Sequence, residues 1–425
     1  MYQKSTLDNG LRIVTSSMPH TRSVCIAIFI GTGSRYEGSE EAGVSHFIEH
    51  LCFKGTKRRA TAKEISETIE GVGGILNGAT DKELTTYWCK VAQHHSALAL
   101  DVLVDMLRHS KFDSRNIEDE RKVIIEEINM DMDSPQRQVG MLADELLWPN
   151  QPLGRDVAGS KTTVAAINRQ AMLDYLACQY LPNNAVISVA GDVNHDEVTT
   201  SLGEVLGDWS NGTPRTWYPA NDNQITPQLM IESRDTEQAH LCLAVRGLSA
   251  FHPDRFVLDL LNIILGEGMS SRLFVEIRDK RALAYSIHSY TDHFLDSGSV
   301  TIYAGVNPQN VTHAVEAILE ELYRLKERVP QPELSKAKEL CKGHLLLRME
   351  DSRAVAAWLG GQELLLGHIL TVDEVVSIID AITPEDLQRV ARELLVTEKL
   401  NLAAVGPIHD EGALQNILSN RSPSG

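Results

Sequence analysis

Apolar residues recur along this chain with two periods. Alternating or continuous apolar runs, rich in β-branched residues, predict strands over 11–15, 23–30, 84–91 and 185–190. Similar runs predict strands near 228–234, 240–246, 298–305 and 399–405. Helical spacing predicts helices over 42–53, 61–71, 94–109 and 114–131. The last belongs to a stretch from Asp113 to Asp133, with Ile117, Ile124 and Ile128 at helical spacing and Asp113 or Ser114 placed to cap its start. Strands with helices gathered between them predict an α+β fold: mainly antiparallel sheets, each covered by helices.

The pattern occurs twice, at an offset of about 216 residues. Ser23-Val24-Cys25-Ile26-Ala27-Ile28-Phe29 resembles His240-Leu241-Cys242-Leu243-Ala244-Val245-Arg246. Asn129-Met130-Asp131-Met132-Asp133-Ser134 resembles Arg348-Met349-Glu350-Asp351-Ser352. Asn184-Ala185-Val186-Ile187-Ser188-Val189-Ala190-Gly191 resembles Lys399-Leu400-Asn401-Leu402-Ala403-Ala404-Val405-Gly406. Three matches in order at nearly constant offset predict two homologous domains related by duplication. A polar stretch with Pro214, Asn221 and Trp217 separates them, so the expected domains are 1–210 and 228–425 with a linker over 211–227.

Length and composition narrow the class. A chain of 425 residues with 43% hydrophobic content suits two soluble globular domains. No run approaches the roughly 18 apolar residues of a membrane span. The start, Met1-Tyr2-Gln3-Lys4-Ser5, has neither a secretory nor a transit pattern, so a cytoplasmic location is expected rather than a mitochondrial matrix. The net charge of −18 speaks against a nucleic-acid partner and is compatible with cationic peptides. The six cysteines form no C-x-x-C pair, which leaves buried free thiols as the expectation.

The chemistry concentrates in Ser45-His46-Phe47-Ile48-Glu49-His50. Residues four apart share a helix face, so His46 and His50 can aim their ring nitrogens at one point, with Glu49 flanking them. Two imidazoles and a third ligand suit zinc, and a carboxylate beside the metal can act as a base. The H-x-x-E-H order inverts the commoner zinc motif. A third ligand is available on the 113–133 helix. Glu120 and Glu127 stack two turns apart, and spacing alone leaves Glu126 open as well. The helix over Arg255-Phe256-Val257-Leu258-Asp259-Leu260-Leu261-Asn262, equivalent by the repeat, has no histidine pair, so only the first half is expected to hold metal.

Beyond these residues, His46-Phe47-Ile48-Glu49-His50 followed by Leu51-Cys52-Phe53-Lys54-Gly55-Thr56 resembles the active-site helix of the pitrilysin/insulinase metallopeptidases. Glu120-Arg121 through Glu126-Glu127 is similar to their second zinc element. The resemblance covers nearly the whole chain. It implies a Zn2+-dependent endopeptidase with His46, His50 and Glu127 as ligands, Glu49 as the base for the attacking water, and Glu120 orienting a ligand. It further implies that Asn77, Gly78, Ala79 and Thr80 lie on an edge strand that binds substrate backbone by strand addition, with Asn77-Gly78 departing from the family's usual Asn-Ala. Ser270-Ser271-Arg272-Leu273-Phe274-Val275-Glu276-Ile277-Arg278 continuing to Ala284-Tyr285 is similar to the family's Arg and Tyr pair, so Arg278 and Tyr285 are expected to contact substrate and the tetrahedral intermediate. Long members carry four such domains closing around a chamber. This chain has two, which implies a homodimer, or alternatively a heterodimer with a homologous chain. Two other readings share the fold: a processing-peptidase subunit that removes basic presequences, for which Gly266-Glu267-Gly268-Met269 is a weak version of the partner's glycine-rich loop, and a non-catalytic core subunit.

Overall fold

The computed structural model describes residues 2–408 and 410–419. The first half of the chain supplies strands β1 (Tyr2–Thr6), β2 (Arg12–Ser17), β3 (Ser23–Ile30), β4 (Ile75–Thr80), β5 (Thr85–Ala92) and β6 (Ala185–Gly191). Its helices are α1 (Val44–Cys52), α2 (Ala62–Glu70), α3 (Ser96–His109), α4 (Ser114–Asp133), α5 (Pro135–Leu147), α6 (Lys161–Ala166), α7 (Arg169–Gln179) and α8 (His195–Leu206). The second half adds β7 (Gln228–Ser233), β8 (Ala239–Arg246), β9 (Ala284–His293), β10 (Gly298–Val306) and β11 (Asn401–Gly406). It also adds α9 (Arg255–Gly266), α10 (Val311–Arg324), α11 (Gln331–Arg348), α12 (Ser352–Leu366), α13 (Val372–Ala381), α14 (Pro384–Leu394) and α15 (Glu411–Ser419).

The strands form two sheets, ordered β1-β2-β6-β3-β5-β4 and β7-β11-β8-β10-β9, the second repeating the topology of the first without a counterpart of β1. In each, one pair is parallel, β2 with β6 and β7 with β11, and the rest are antiparallel. The α+β class and the internal duplication are therefore both present. Strands β1, β4 and β9 fall outside the runs that hydrophobic pattern alone marked. All three lie at sheet edges, where one side of the strand faces solvent and polar residues are tolerated.

The compact units do not follow a contiguous division at 211–227. One comprises Met1–Asn129, Arg155–Tyr218 and Leu346–Thr371; the other comprises Met130–Gly154, Pro219–Leu345 and Val372–Gly425. Each half thus lends a helix to the other unit, α12 to the first and α5 to the second. The chain changes unit next to the repeated Asp131-Met132-Asp133-Ser134 and Met349-Glu350-Asp351-Ser352 segments, so the exchange is itself part of the repeat.

This explains why β3 reads as a continuous apolar run. Val24, Ile26 and Ile28 face a core with Phe47, Ile48 and Leu51 of α1 and Ile124 and Ile128 of α4. Cys25, Ala27 and Phe29 face the other way, onto Val355, Ala356 and Leu359 of α12. Both faces are covered, so the alternation of a half-buried strand disappears. In the second unit, Val139 and Ala143 of α5 pack on Cys242, Tyr303, Ala403 and Val405 in the corresponding way.

Candidate metal centre

The centre is built on α1 and α4, whose buried residues join one core with those of the first sheet. Helix α1 buries Val44, Phe47, Ile48, Leu51 and Cys52. That stripe turns His46 and His50 away from the core and towards α4. Helix α4 buries Ile117, Ile124 and Ile128, and Glu120 lies in the same buried set with 4% exposure. Glu127, seven residues on, follows Glu120 on that face.

The ring nitrogens converge. His46 Nε2 and His50 Nε2 are 3.1 Å apart. Glu127 Oε2 lies 3.8 Å from the first and 3.6 Å from the second. Glu127 is the carboxylate brought into this group; Glu126 stays on the exposed side of α4. His50 Nδ1 hydrogen-bonds Glu120 Oε1 at 2.9 Å, and the other Glu120 oxygen pairs with Lys54 Nζ at 2.5 Å. With Nδ1 committed to Glu120, the His50 Nε2 lone pair is left to face the group.

Electrostatics separate the two imidazoles. Burial, helped by the neighbouring His50, pushes His46 down to about 4. Burial also presses on His50, but the Glu120 hydrogen bond and the charges of Glu127 and Glu49 outweigh it and hold that imidazole above its ordinary value. Burial alone would raise Glu120; His50 and Lys54 reverse this and keep it below the usual carboxylate range.

Glu49 is near the group without joining it. One of its oxygens accepts a hydrogen bond from Thr80 Oγ1 on β4 at 2.8 Å. Burial raises its proton affinity, partly offset by that hydroxyl and by His50. Gly78 also faces Glu49: a Cβ there would come 2.9 Å from Glu49 Oε1 and 3.0 Å from the Phe53 ring. The Asn77-Gly78 departure thus falls where the strand lies close against Glu49. Asn77 and Ala79 point to the opposite, exposed side of β4, and the Asn77 side chain accepts from the Gly78 N–H. Strand β4 pairs only with β5 among the described residues, so one edge is open. Thr80, expected beside substrate, also touches the carboxylate expected to act as base.

Arg278 and Tyr285 lie in the second unit. Arg278 sits on a π-helical segment, Phe274–Lys280, and its guanidinium lies 4.7 Å from the Phe274 ring centroid and 5.4 Å from that of Tyr285. Tyr285, at the start of the edge strand β9, is 75% exposed. The two residues are neighbours, and both are open to solvent.

Spacing did not single out Lys54, although a signal was present: His46, His50 and Lys54 are successive members of an i, i+4 series. Arg35 and Glu37, which hold the start of α1 and the end of β4, left no comparable pattern.

Comparison with known proteins gives the family and the fold. Residues 12–161 match the model of the family described as Insulinase (Peptidase family M16), and residues 166–341 match Peptidase M16 inactive domain. An uncharacterized zinc protease of Bacillus subtilis is 38% identical over 408 residues, covering 96% of this chain and 98% of the relative. The chain belongs to the insulinase family of peptidases. An uncharacterized zinc protease of Streptomyces coelicolor is 36% identical, covering 97% of this chain and 91% of its own. Insulinase-family architecture extends to solved structures. A protease from Helicobacter pylori superposes with a TM-score of 0.90 at 24% identity, covering 95% of this chain and 99% of that one. A chain of complex III2 from Candida albicans does so at 0.83 and 19%, covering 98% and 99%. Both likenesses concern the fold.

Proposed function

We propose that this insulinase-family chain is a zinc-dependent endopeptidase, with His46, His50 and Glu127 holding the metal. The observation that carries the proposal is the convergence of these three donors beside Glu49. Their separations of 3.1, 3.6 and 3.8 Å bracket the ~3.3 Å edge of a tetrahedral zinc site with bonds of about 2.0–2.1 Å. Glu127 Oε2 is buried without a hydrogen-bond partner, which a cation would relieve. Two imidazoles and a carboxylate form the three-ligand set that leaves zinc an open position.

Zinc, when bound there, polarises the scissile carbonyl and acidifies water. The protein's own residues do the rest. Glu49 accepts the proton of the attacking water, and its raised proton affinity brings it closer to the range of an efficient base. Thr80 fixes the Glu49 carboxylate. Glu120, backed by Lys54, keeps His50 in the tautomer that presents Nε2. The open edge of β4 receives the peptide as an added strand, through main-chain bonds that demand no particular sequence. Arg278 and Tyr285 donate hydrogen bonds to the developing oxyanion. The chain acts with a second subunit, in our reading a copy of itself, enclosing peptides or unfolded segments.

The likeness to a chain of complex III2 concerns the fold alone, so fold does not choose between enzyme and core subunit. The donor cluster favours the enzyme. Metal analysis with chelation tests it: one zinc per chain is expected, with peptide cleavage lost on chelation and restored by zinc. Protein without zinc and without cleavage would favour the core-subunit reading.

A further inference from the structure

Helix α1 has no cap of its own. Its N-cap residue is Gly43, at φ 95°, and no side chain of the helix start accepts from the free N–H groups. The missing acceptor comes from Glu37. Its Oε2 accepts from the Gly43 N–H at 2.7 Å, and its Oε1 accepts from the Ser45 N–H at 2.8 Å. Glu37 is fully buried. Orphan N–H groups and the positive end of the helix dipole both favour a carboxylate at this place. Neighbouring groups hold the same end. Ser45 Oγ is 2.9 Å from Tyr175 OH, which is 2.7 Å from Thr32 Oγ1, and Arg155 Nη2 donates to the Glu37 backbone carbonyl.

Two residues earlier, Arg35 grips the opposite element. Its Nη1 pairs with Glu83 Oε1 at 2.5 Å, and its Nε donates to the Tyr218 carbonyl at 3.0 Å. The Trp217 ring lies 4.4 Å from the guanidinium. The Ser34 and Arg35 N–H groups donate to the carbonyls of Asp81 and Lys82 at 3.2 and 2.9 Å. Gly33 permits this approach, since a Cβ there would sit 2.0 Å from the Asp81 oxygen. Residues 81–83 directly follow Thr80, the residue that holds Glu49.

We infer that Arg35 and Glu37 are positioning residues that set the register between the helix bearing His46, Glu49 and His50 and the edge strand bearing Thr80. Glu37 fixes the start of α1 one residue short of His46. Arg35 fixes the turn at the end of β4. The two lie on one buried segment, so helix and strand are referenced to the same point. Displacements of about 1 Å at a reacting centre cost on the order of 10²-fold in rate, which makes such a reference consequential. The kinetic consequences rest on the peptidase reading above; the structural ones do not.

Glu37→Gln tests the inference, because it keeps the shape but turns an NH2 group towards a helix N–H. In the metal-free protein, hydrogen exchange of the peptide spanning Gly43 to Ser45, read by mass spectrometry, is expected to accelerate at least about tenfold. Zinc affinity measured by chelator competition is expected to weaken at least about tenfold, with kcat falling as much and KM within about twofold. Glu83→Gln is expected to raise KM about fivefold and to lower kcat as well, since the loosened strand carries both the peptide-binding edge and Thr80, which holds Glu49. If Glu37→Gln does not fold, Glu37→Asp keeps the charge with a shorter reach and gives intermediate values. A folded Glu37 variant that keeps wild-type exchange at Gly43–Ser45 and wild-type zinc affinity overturns the inference. So does a lowered urea midpoint with unchanged zinc affinity and kcat, the signature of a purely structural role. Wild-type protein that neither binds zinc nor cuts peptide defeats the peptidase reading, while the exchange measurement still judges the cap.

Discussion

His46 and Glu49 differ in what their surroundings do to a proton, and each difference can be measured. Burial and His50 hold His46 at about 4, against an ordinary value of 6.5. The unfolded chain therefore takes up a proton near pH 6.5 that the folded, metal-free chain refuses until about 4. Stability of the metal-free protein should fall as pH is lowered through that window. His46→Ala should flatten this part of the dependence, read as urea midpoint against pH; equal slopes in the two proteins would contradict it. The Thr80 hydroxyl favours ionised Glu49, so Thr80→Val should raise the Glu49 pKa further. The acid limb of kcat/KM should then move to higher pH, and an unmoved limb would separate Thr80 from the base. Glu120→Ala should weaken zinc binding by about 10–100-fold, since His50 loses its orienting partner. At this scale the histidine pair was legible because a helix repeats every four residues. Glu126 and Glu127 were not separable by spacing, because adjacent positions differ only by rotation about the helix; packing of Ile124 and Ile128 decides which one turns inward.

Elements were legible where local pattern decides them and opaque where a distant partner does. Strand β3 and helices α3 and α4 stand close to where periodicity puts them. Strands β4 and β9 carry mixed polar sequences because each lies at a sheet edge. The exchange of α5 and α12 between units could not be read at all. The apolar residues of α12 meet Phe29 and Trp88, whose place beside it depends on the folded sheet rather than on neighbouring sequence. The contact is tight: a Cβ on Gly360 would lie 2.2 Å from the Phe29 ring. Gly360→Ala should therefore destabilise the protein by about 1–3 kcal/mol through overpacking, despite the better helix propensity of alanine. A denaturant titration checks this; unchanged or increased stability would mean that the helix shifts freely on the sheet.

On the scale of the whole molecule, duplication has divided the labour. Both halves share an order of five strands, but among the described residues only the first carries the donor cluster, while the second presents Arg278 and Tyr285. If those two serve the centre of a partner subunit, mixing Glu49→Gln chains with Tyr285→Phe chains should restore activity above that of either variant alone. No recovery in a mixed dimer would count against sharing between subunits. The described residues include no helix long and apolar enough to cross a membrane.

The proposed chemistry depends on one assignment: Glu49 as the base beside a zinc held by His46, His50 and Glu127. Digestion of an unstructured peptide mixture, with products identified by mass spectrometry, tests it most directly when wild type is compared with Glu49→Gln at equal zinc content. The expected result is internal peptide-bond cleavage by the wild type and a loss of about 10²–10⁴-fold in the variant, with zinc retained. Equal cleavage by both proteins, or none by a zinc-loaded wild type, would contradict the assignment.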